Sequence, residues 1–377
     1  ERAPMSKQTI YLLVEPADAM PVWFSRIIDG LRKSCAKSRL GLRQLMDIAE
    51  LDALEETPSS VLIVCSQDTW TQHMVHELKA RKIMPILLGT IADQFGYHVS
   101  GVMLDRRTFI EKVVDYFIGC GRRKIALTGV NPNASNDGVK VDCFLRVTAQ
   151  MGLSAGREDI YCIDSDILSC AQRCLDHAGQ YDGIICSNDY VAAILLAQAR
   201  ARKIPVPEQL YVVGLGDTLP GRYTEPTLTT SSHNEFYEIG RQAVTLWHIL
   251  ESTPSLSNIL ITVGSEIIPR GSTAFSEPVD SASTLPISSA PQISIGAKSQ
   301  TVRNLENCLR ACDALDAQIL RAILRGDSNE QIENELFLAH SSLYYRLKKL
   351  YQLANVQTRT ELEDLFRFYL PNYQTLS

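Results

Sequence analysis

From residue 10 to residue 214, short β-rich apolar runs alternate with stretches whose apolar positions recur every three or four residues. The runs fall at 10–14, 61–65, 84–88, 102–104, 124–128, 183–187 and 210–214, and the amphipathic stretches at 22–37, 69–81, 108–119, 136–151, 167–177 and 189–202. A strand that is apolar along its whole length must be covered on both faces, and a helix after each strand supplies that cover. The alternation therefore predicts an α/β protein with doubly wound parallel sheets. About 260 residues of this pattern exceed what one sheet usually organises, so two lobes are predicted over residues 7–275.

The alternation then stops. Residues 276–299 hold seven Ser and three Pro and no aromatic residue, a composition that cannot bury a core and reads as a flexible linker. Residues 300–377 read as helical throughout. Asp313 and Asp316 open one helix, with Leu315, Ile319 and Ile323 on one face, and Gly326 closes it. Ser328 and Gln331 form a capping box for a short second helix, and Thr358 and Glu361 another for the last, which turns Leu362, Leu365, Phe366 and Tyr369 inward. In between, residues 339–353 place Leu343, Leu347 and Leu350 at i, i+4 and i+7, which turns Ser341, Tyr344, Tyr345, Arg346, Lys348 and Lys349 outward.

Charge sharpens this picture. The 377-residue chain carries 37 Lys+Arg against 43 Asp+Glu, a net charge of −6, too acidic to coat nucleic acid wholesale. Any DNA contact must be local, and the helix over 339–353 has three cations and no acid. A short helix, a tight turn and a basic helix with hydroxyls on its outer face make a small all-α helix-turn-helix domain, which reads DNA by placing its second helix in the major groove. A tail that contacts a protein partner is the alternative, kept open by its seven basic against nine acidic residues over 313–377.

Ten cysteines are spread along the chain without a CxxC pair, so reduced, mostly buried thiols are expected, with no metal. No stretch approaches the ~20 apolar residues of a membrane span, and the chain reads as cytoplasmic. Gly214, Gly216 and Gly129 could suggest a dinucleotide site, but no GxGxxG opens a helix and Pro220 interrupts the only candidate. Neither an enzyme nor a bound cofactor is expected.

Two resemblances add to this. Leu324-Arg-Gly-Asp-Ser-Asn-Glu-Gln-Ile332, Ser342-Leu-Tyr344, Arg346, Leu353-Ala-Asn-Val356 and Arg359-Thr-Glu-Leu362 resemble a LuxR-type helix-turn-helix, with Ala339 where a small hydroxyl residue usually caps the second helix and Tyr344 where Lys is usual. The phrase Leu343-Tyr-Tyr-Arg-Leu-Lys-Lys349 also resembles the helix-turn-helix of PucR-like activators. In the front part, Gly121-Arg-Arg-Lys-Ile-Ala-Leu127, Asp182-Gly-Ile-Ile-Cys-Ser-Asn-Asp189, Ile204-Pro-Val-Pro207, Val212-Val-Gly214, Pro226-Thr-Leu-Thr-Thr230, Ile239-Gly240 and Pro269-Arg-Gly-Ser-Thr273 resemble, in order, the effector domain of LacI/GalR-type repressors, built like periplasmic binding proteins. Those relatives carry their DNA-binding module first; here it stands last.

The second resemblance implies a small-molecule effector held in a cleft between the lobes. Asn188 stands where the family bonds its effector, with capping of the next helix as the alternative reading of Asn188 and Asp189. Lys140 takes the place of the family's cleft arginine, Asp217 stands beside the usual acidic position, itself Gly216, and His233 or Asn234 is expected to add a contact. Without the planar Arg–carboxylate clamp a simple hexose is not expected. The implied DNA contacts are Ser341, Ser342, Tyr344, Tyr345, Arg346, Lys348, Lys349 and Arg359. One module offers few phosphate contacts, so a homodimer is expected, with the LacI-like lobes side by side as the resemblance implies, the final helix with Phe366, Phe368, Tyr369 and Leu370, or the segment from Val302 to Cys312 as its surface.

Overall fold

The structure, a computed structural model, describes residues 8–16, 22–232, 234–273 and 298–374. The predicted linker at 276–299 falls almost wholly outside them, as does His233. Along the α/β part run β1 (Thr9–Val14), α1 (Val22–Lys37), β2 (Gly41–Leu45), β3 (Ser60–Val64), α2 (Asp68–Ala80), β4 (Met84–Leu88), β5 (Ser100–Leu104), α3 (Arg106–Gly119), β6 (Ile125–Val130), α4 (Ser135–Gln150), β7 (Ile160–Cys162), α5 (Ile167–Asp176), β8 (Gly183–Cys186), α6 (Asp189–Ala201), β9 (Tyr211–Val213), α7 (Leu219–Tyr223), β10 (Thr230–Ser231), α8 (Asn234–Ser252), β11 (Leu260–Val263) and β12 (Ile267–Ile268). The tail adds α9 (Lys298–Ala311), α10 (Ala314–Arg325), α11 (Asn329–Glu335), α12 (His340–Ala354) and α13 (Arg359–Tyr369).

These elements form two compact units. The first comprises Glu1–Glu111, Asn131–Cys143 and Ser232–Glu266, and the second Lys112–Val130, Phe144–Ser231 and Ile267–Ser377. In the first, an all-parallel sheet has the order β11-β5-β4-β3-β1-β2. Its central strands are apolar runs because both faces are covered: every residue of β3 is buried. The edge strands β2 and β11 are half exposed, which is why no continuous apolar run announces them. Helices α1 and α8 cross at two glycines, Gly30 and Gly240, each of which lets the facing backbone approach closer than any Cβ would permit.

The second unit holds a parallel sheet of order β7-β6-β8-β9 and the antiparallel pair β10-β12. Strand order reverses at β1 in the first sheet and at β6 in the second, so the carboxyl ends of β1 and β3, and of β6 and β8, are the places where such sheets leave room for a ligand.

The helical tail belongs to the second unit and shares its core. Val302 and Leu305 of α9, Ile319 and Ile323 of α10 and Phe366 of α13 lie in one apolar cluster with Ile194, Leu195 and Leu228 of the α/β part. Arg200 at the end of α6 donates to the carbonyls of Arg367 (2.9 Å) and Phe368 (2.6 Å), Asn372 donates to that of Thr224 (2.6 Å), and the Tyr223 and Tyr373 rings meet edge to face at 5.0 Å. This corrects the expectation for the dimer surface. Phe366, Phe368, Tyr369 and Leu370 are all buried, as are Val302 and Leu305, because the chain's own α/β unit covers them.

Within the tail the start signals act as read, except that Glu361 accepts from the Gln357 N–H and so does not complete the box with Thr358. Asp313 and Asp316 form a capping box, Gly326 ends α10 in the left-handed region at φ 93°, Ser328 and Gln331 cap α11, and Thr358 caps α13.

Candidate functional site

At the carboxyl ends of the strands of the first unit, the turn after β3 is tied down by the Glu15 carboxylate, which accepts from the N–H groups of Ser66 (2.5 Å) and Gln67 (3.1 Å). Asp68, next in the chain, accepts from the N–H and hydroxyl of Ser135 at the start of α4. One turn on, Lys140 is buried and its ammonium lies 2.6 Å from Asp137. Burial pulls the Lys140 pKa down against that carboxylate. The residue that sequence reasoning missed is Arg106. It is buried at the end of β5, where its guanidinium donates to the Gly89 carbonyl at 2.9 Å, and burial lowers its pKa to about 10 against the pull of Asp137 and Glu235. Asn136 points at the same carbonyl, at 3.4 Å. Among the described residues neither Arg106 Nη1 nor Asn136 Oδ1 has a hydrogen-bond partner, although both atoms are buried. Buried donors and acceptors of this kind are normally satisfied, so these two atoms are suited to a bound polar molecule. Arg106 gives no periodicity signal; its only sequence cue is a cation two residues after an apolar strand.

In the second unit, Asn188 caps α6. Its side-chain oxygen accepts from the N–H groups of Tyr190 (3.0 Å) and Val191 (3.1 Å), while its amide donates to Ser187 Oγ. Asp189 is fully buried and stitches two loops together, accepting from Thr230 Oγ1 (2.6 Å) and the Thr218 N–H (2.7 Å). Asp217, also buried, is gripped by Arg222 (2.6 Å) and Arg270 (2.5 Å). Burial alone would raise its pKa, but the two guanidinium groups outweigh that and hold it below the usual carboxylate range. Thr218 Oγ1, beside it, is buried without a partner among the described residues. Asn234, at the start of α8 in the first unit, is exposed. Lys140, Asp189 and Asp217 are thus engaged within their own units, whereas Arg106, Asn136 and Thr218 keep unused polar atoms.

Burial pushes the Asp189 carboxyl up to about 6, against the hydrogen bonds from Thr230 and Thr218. The folded chain therefore holds a proton that an ordinary unfolded carboxyl, near 3.9, releases. Its contribution to stability is greatest below about pH 4 and falls as pH rises through about 6. In thermal melts between about pH 4 and pH 7, the Tm of the natural chain should decline relative to Asp189→Asn, which cannot ionise. Parallel profiles would place the carboxyl at its ordinary pKa.

On α12, Leu343, Leu347 and Leu350 are buried, while Ser341, Ser342, Tyr344, Tyr345 and Lys348 are exposed, Tyr344 by 65% and Tyr345 by 72%. Two of the cations that helical period turns outward are otherwise engaged. Arg346 reaches Asp313 (2.9 Å) and Asp316 (2.6 Å), and Lys349 reaches Asp316 (2.6 Å) and the Ala311 carbonyl (3.0 Å). Their long stems let them reach sideways to α10, whose buried carboxylate would otherwise stand alone. Arg359 is similarly occupied, with Glu363 at 2.8 Å, Asn329 at 2.9 Å and the Asp327 carbonyl. Among the described residues Lys348 has no carboxylate partner and is the exposed cation of the α12 face.

Residues 114–273 match the family model described as periplasmic binding protein-like domain. A curated relative, the HTH-type transcriptional repressor PurR of Haemophilus influenzae (strain PittEE), is 22% identical over 253 residues, 63% of this chain and 72% of the relative. Among solved structures, transcription regulator CcpA of Lactococcus lactis superposes with a TM-score of 0.59 at 18% identity, over 71% of this chain and 100% of that one. The transcriptional regulator CelR in complex with cellobiose gives 0.57 at 17% identity, over 71% and 85%. The LacI-family regulator CcpA of Weissella paramesenteroides with bound sucrose gives 0.56 at 22%, over 71% and 98%. The chain has parallel-sheet α/β domains like those of LacI-family regulators, followed by a helical region. Among the described residues no helix is long and apolar enough to cross a membrane.

Proposed function

We propose that the chain is a ligand-responsive transcriptional regulator, with a small-molecule effector held at the carboxyl ends of the strands and DNA read by α11 and α12 as a helix-turn-helix of LuxR or PucR type. The observation that carries the reading is the α12 face: hydroxyls and a lysine stand exposed opposite a buried leucine face, on a fold whose relatives are repressors and transcription regulators. Ser341, Ser342, Tyr344 and Tyr345 are the groups for base edges and phosphates, and Lys348 is the charge. The effector is a polar molecule that offers an acceptor to Arg106 and a donor to Asn136. The CelR and Weissella structures carry cellobiose and sucrose, but here Lys140 is spent on Asp137 and Gly216 replaces a carboxylate, so a simple hexose is not the effector. A homodimer is part of the proposal on the phosphate count, with the α/β lobes as its surface, since the apolar faces of α9 and α13 are covered.

The test is selection of duplexes from a random-sequence pool on the full chain, followed by affinity against salt. Lys348→Ala is expected to weaken binding to every selected duplex alike and to lower the salt slope by about 0.9 per module. A chain that selects no duplex would favour a tail that contacts protein.

A further inference from the structure

Helix α9 stands between the two places the proposed function needs. On one side it packs against α6 and α7, the helices that follow β8 and β9, and on the other it packs along α12, where the Cys308 thiol faces the Leu350 carbonyl and Lys349 reaches the Ala311 carbonyl. At its centre Glu306 is fully buried, an expensive position for a carboxylate unless several donors meet it. Four do: the Tyr190 hydroxyl at 2.6 Å, the Leu219 N–H at 3.4 Å, and Nε and Nη2 of Arg310 at 3.1 and 2.9 Å. Arg310 lies on the same helix, but Tyr190 and Leu219 do not. Tyr190 is two residues after Asn188, in the first turn of α6, and Leu219 follows Asp217 and Thr218 at the start of α7. The two loops are themselves joined, since Asp189 accepts from both Thr218 and Thr230.

We propose that Glu306 is the positioning residue through which the carboxyl ends of β8 and β9 and the DNA-reading helix α12 sense each other. A molecule seated against Asn188 and Thr218 must act on the start of α6 or α7. Either movement changes a donor to Glu306, and a buried carboxylate that loses a donor draws α9 after it, because water cannot replace the lost bond. Helix α9 in turn carries the flank of α12. Coupling is reciprocal, so DNA on α12 must act on the same loops without any effector present. The proposal rests on the regulator reading.

The experiment uses the full chain and a duplex selected from the random-sequence pool, with hydrogen exchange as readout. The informative amides are Tyr190, Val191 and Thr218, which bond to Asn188 or Asp189 and not to α9. In the natural chain the duplex is expected to change their exchange rates about fivefold. Glu306→Gln should fold and bind the duplex, yet leave those rates unaltered by DNA. Tyr190→Phe, which removes only the hydroxyl, should shrink the change, and it serves if Glu306→Gln does not fold. A merely structural role would lower stability but leave the DNA-induced change in place, and that result overturns the proposal. So does a natural chain that binds the duplex with these amides unmoved. A chain that selects no duplex overturns the DNA reading as well.

Discussion

Gly240→Ala is expected to destabilise the first α/β unit by about 3 kcal/mol or more, among the larger effects a single methyl can have. A Cβ there would lie 1.9 Å from the Ile27 carbonyl oxygen and 2.6 Å from the Leu31 nitrogen, and its counterpart at Gly30 would lie 2.0 Å from the Tyr237 oxygen. These are backbone atoms, which no rotamer change can move. Relief requires α1 and α8 to separate, and Ile27, Leu31, Ile239 and Ala243, all fully buried, lose their packing together. Urea unfolding followed by tryptophan fluorescence measures the loss. Gly138→Ala is the control, because nothing lies within 4 Å of its Cβ in α4 and it should stabilise by about 0.4–1 kcal/mol. Equal stability of Gly240→Ala and the natural chain would mean that the helices cross further apart.

Asp316→Asn is expected to do two opposite things. The fully buried carboxylate accepts from Arg346, Lys349 and the Asp313 N–H. Burial would raise its pKa, but those donors, Lys349 first, hold it below the usual range. Neutralising it should cost about 2–3 kcal/mol, and this loss should vanish as pH falls through the carboxyl's lowered pKa, where the natural chain is protonated too. The same change frees Lys349 from its carboxylate and leaves Arg346 with the exposed Asp313 alone, so both can turn to the α12 face. Binding to a selected duplex should then strengthen at low salt, with a salt slope steeper by up to roughly two units per module. An unaltered slope in a folded Asp316→Asn chain would show that neither cation reaches phosphate when freed.

What the sequence made legible follows from where side chains are buried. Strands β3, β4, β6, β8 and β9 are continuous apolar runs because both faces are covered, and the capping residues Asp313, Ser328 and Thr358 mark the tail helices by local chemistry. Edge strands β2, β7 and β11 carry half-exposed mixtures that period alone does not distinguish from loop. The site was less legible because its partners are far apart in sequence. Arg346 and Lys349 sit on the expected face of α12, but Asp316 is thirty residues away, and helical period says nothing about where a long side chain bends. Glu306 gives no signal for the same reason. Its one local cue is Arg310 at i+4, which an ordinary surface helix would also show. The apolar surplus of the last helix is visible in the sequence, but part of what covers it lies far back in the chain, in α6.

The shared core of α6, α9 and α13 also bears on how such a chain could be re-engineered or could diverge. A Ser/Pro-rich stretch invites treatment as a seam at which one DNA-reading head could be exchanged for another. Here the seam in the sequence is not the seam in the packing. A foreign head joined after residue 275 would leave bare the α6 flank that Leu305 and Phe366 now cover, and Arg200 would lose the carbonyls of Arg367 and Phe368. Exchange succeeds only if the incoming head brings a matching surface, so head and sensor must change in concert.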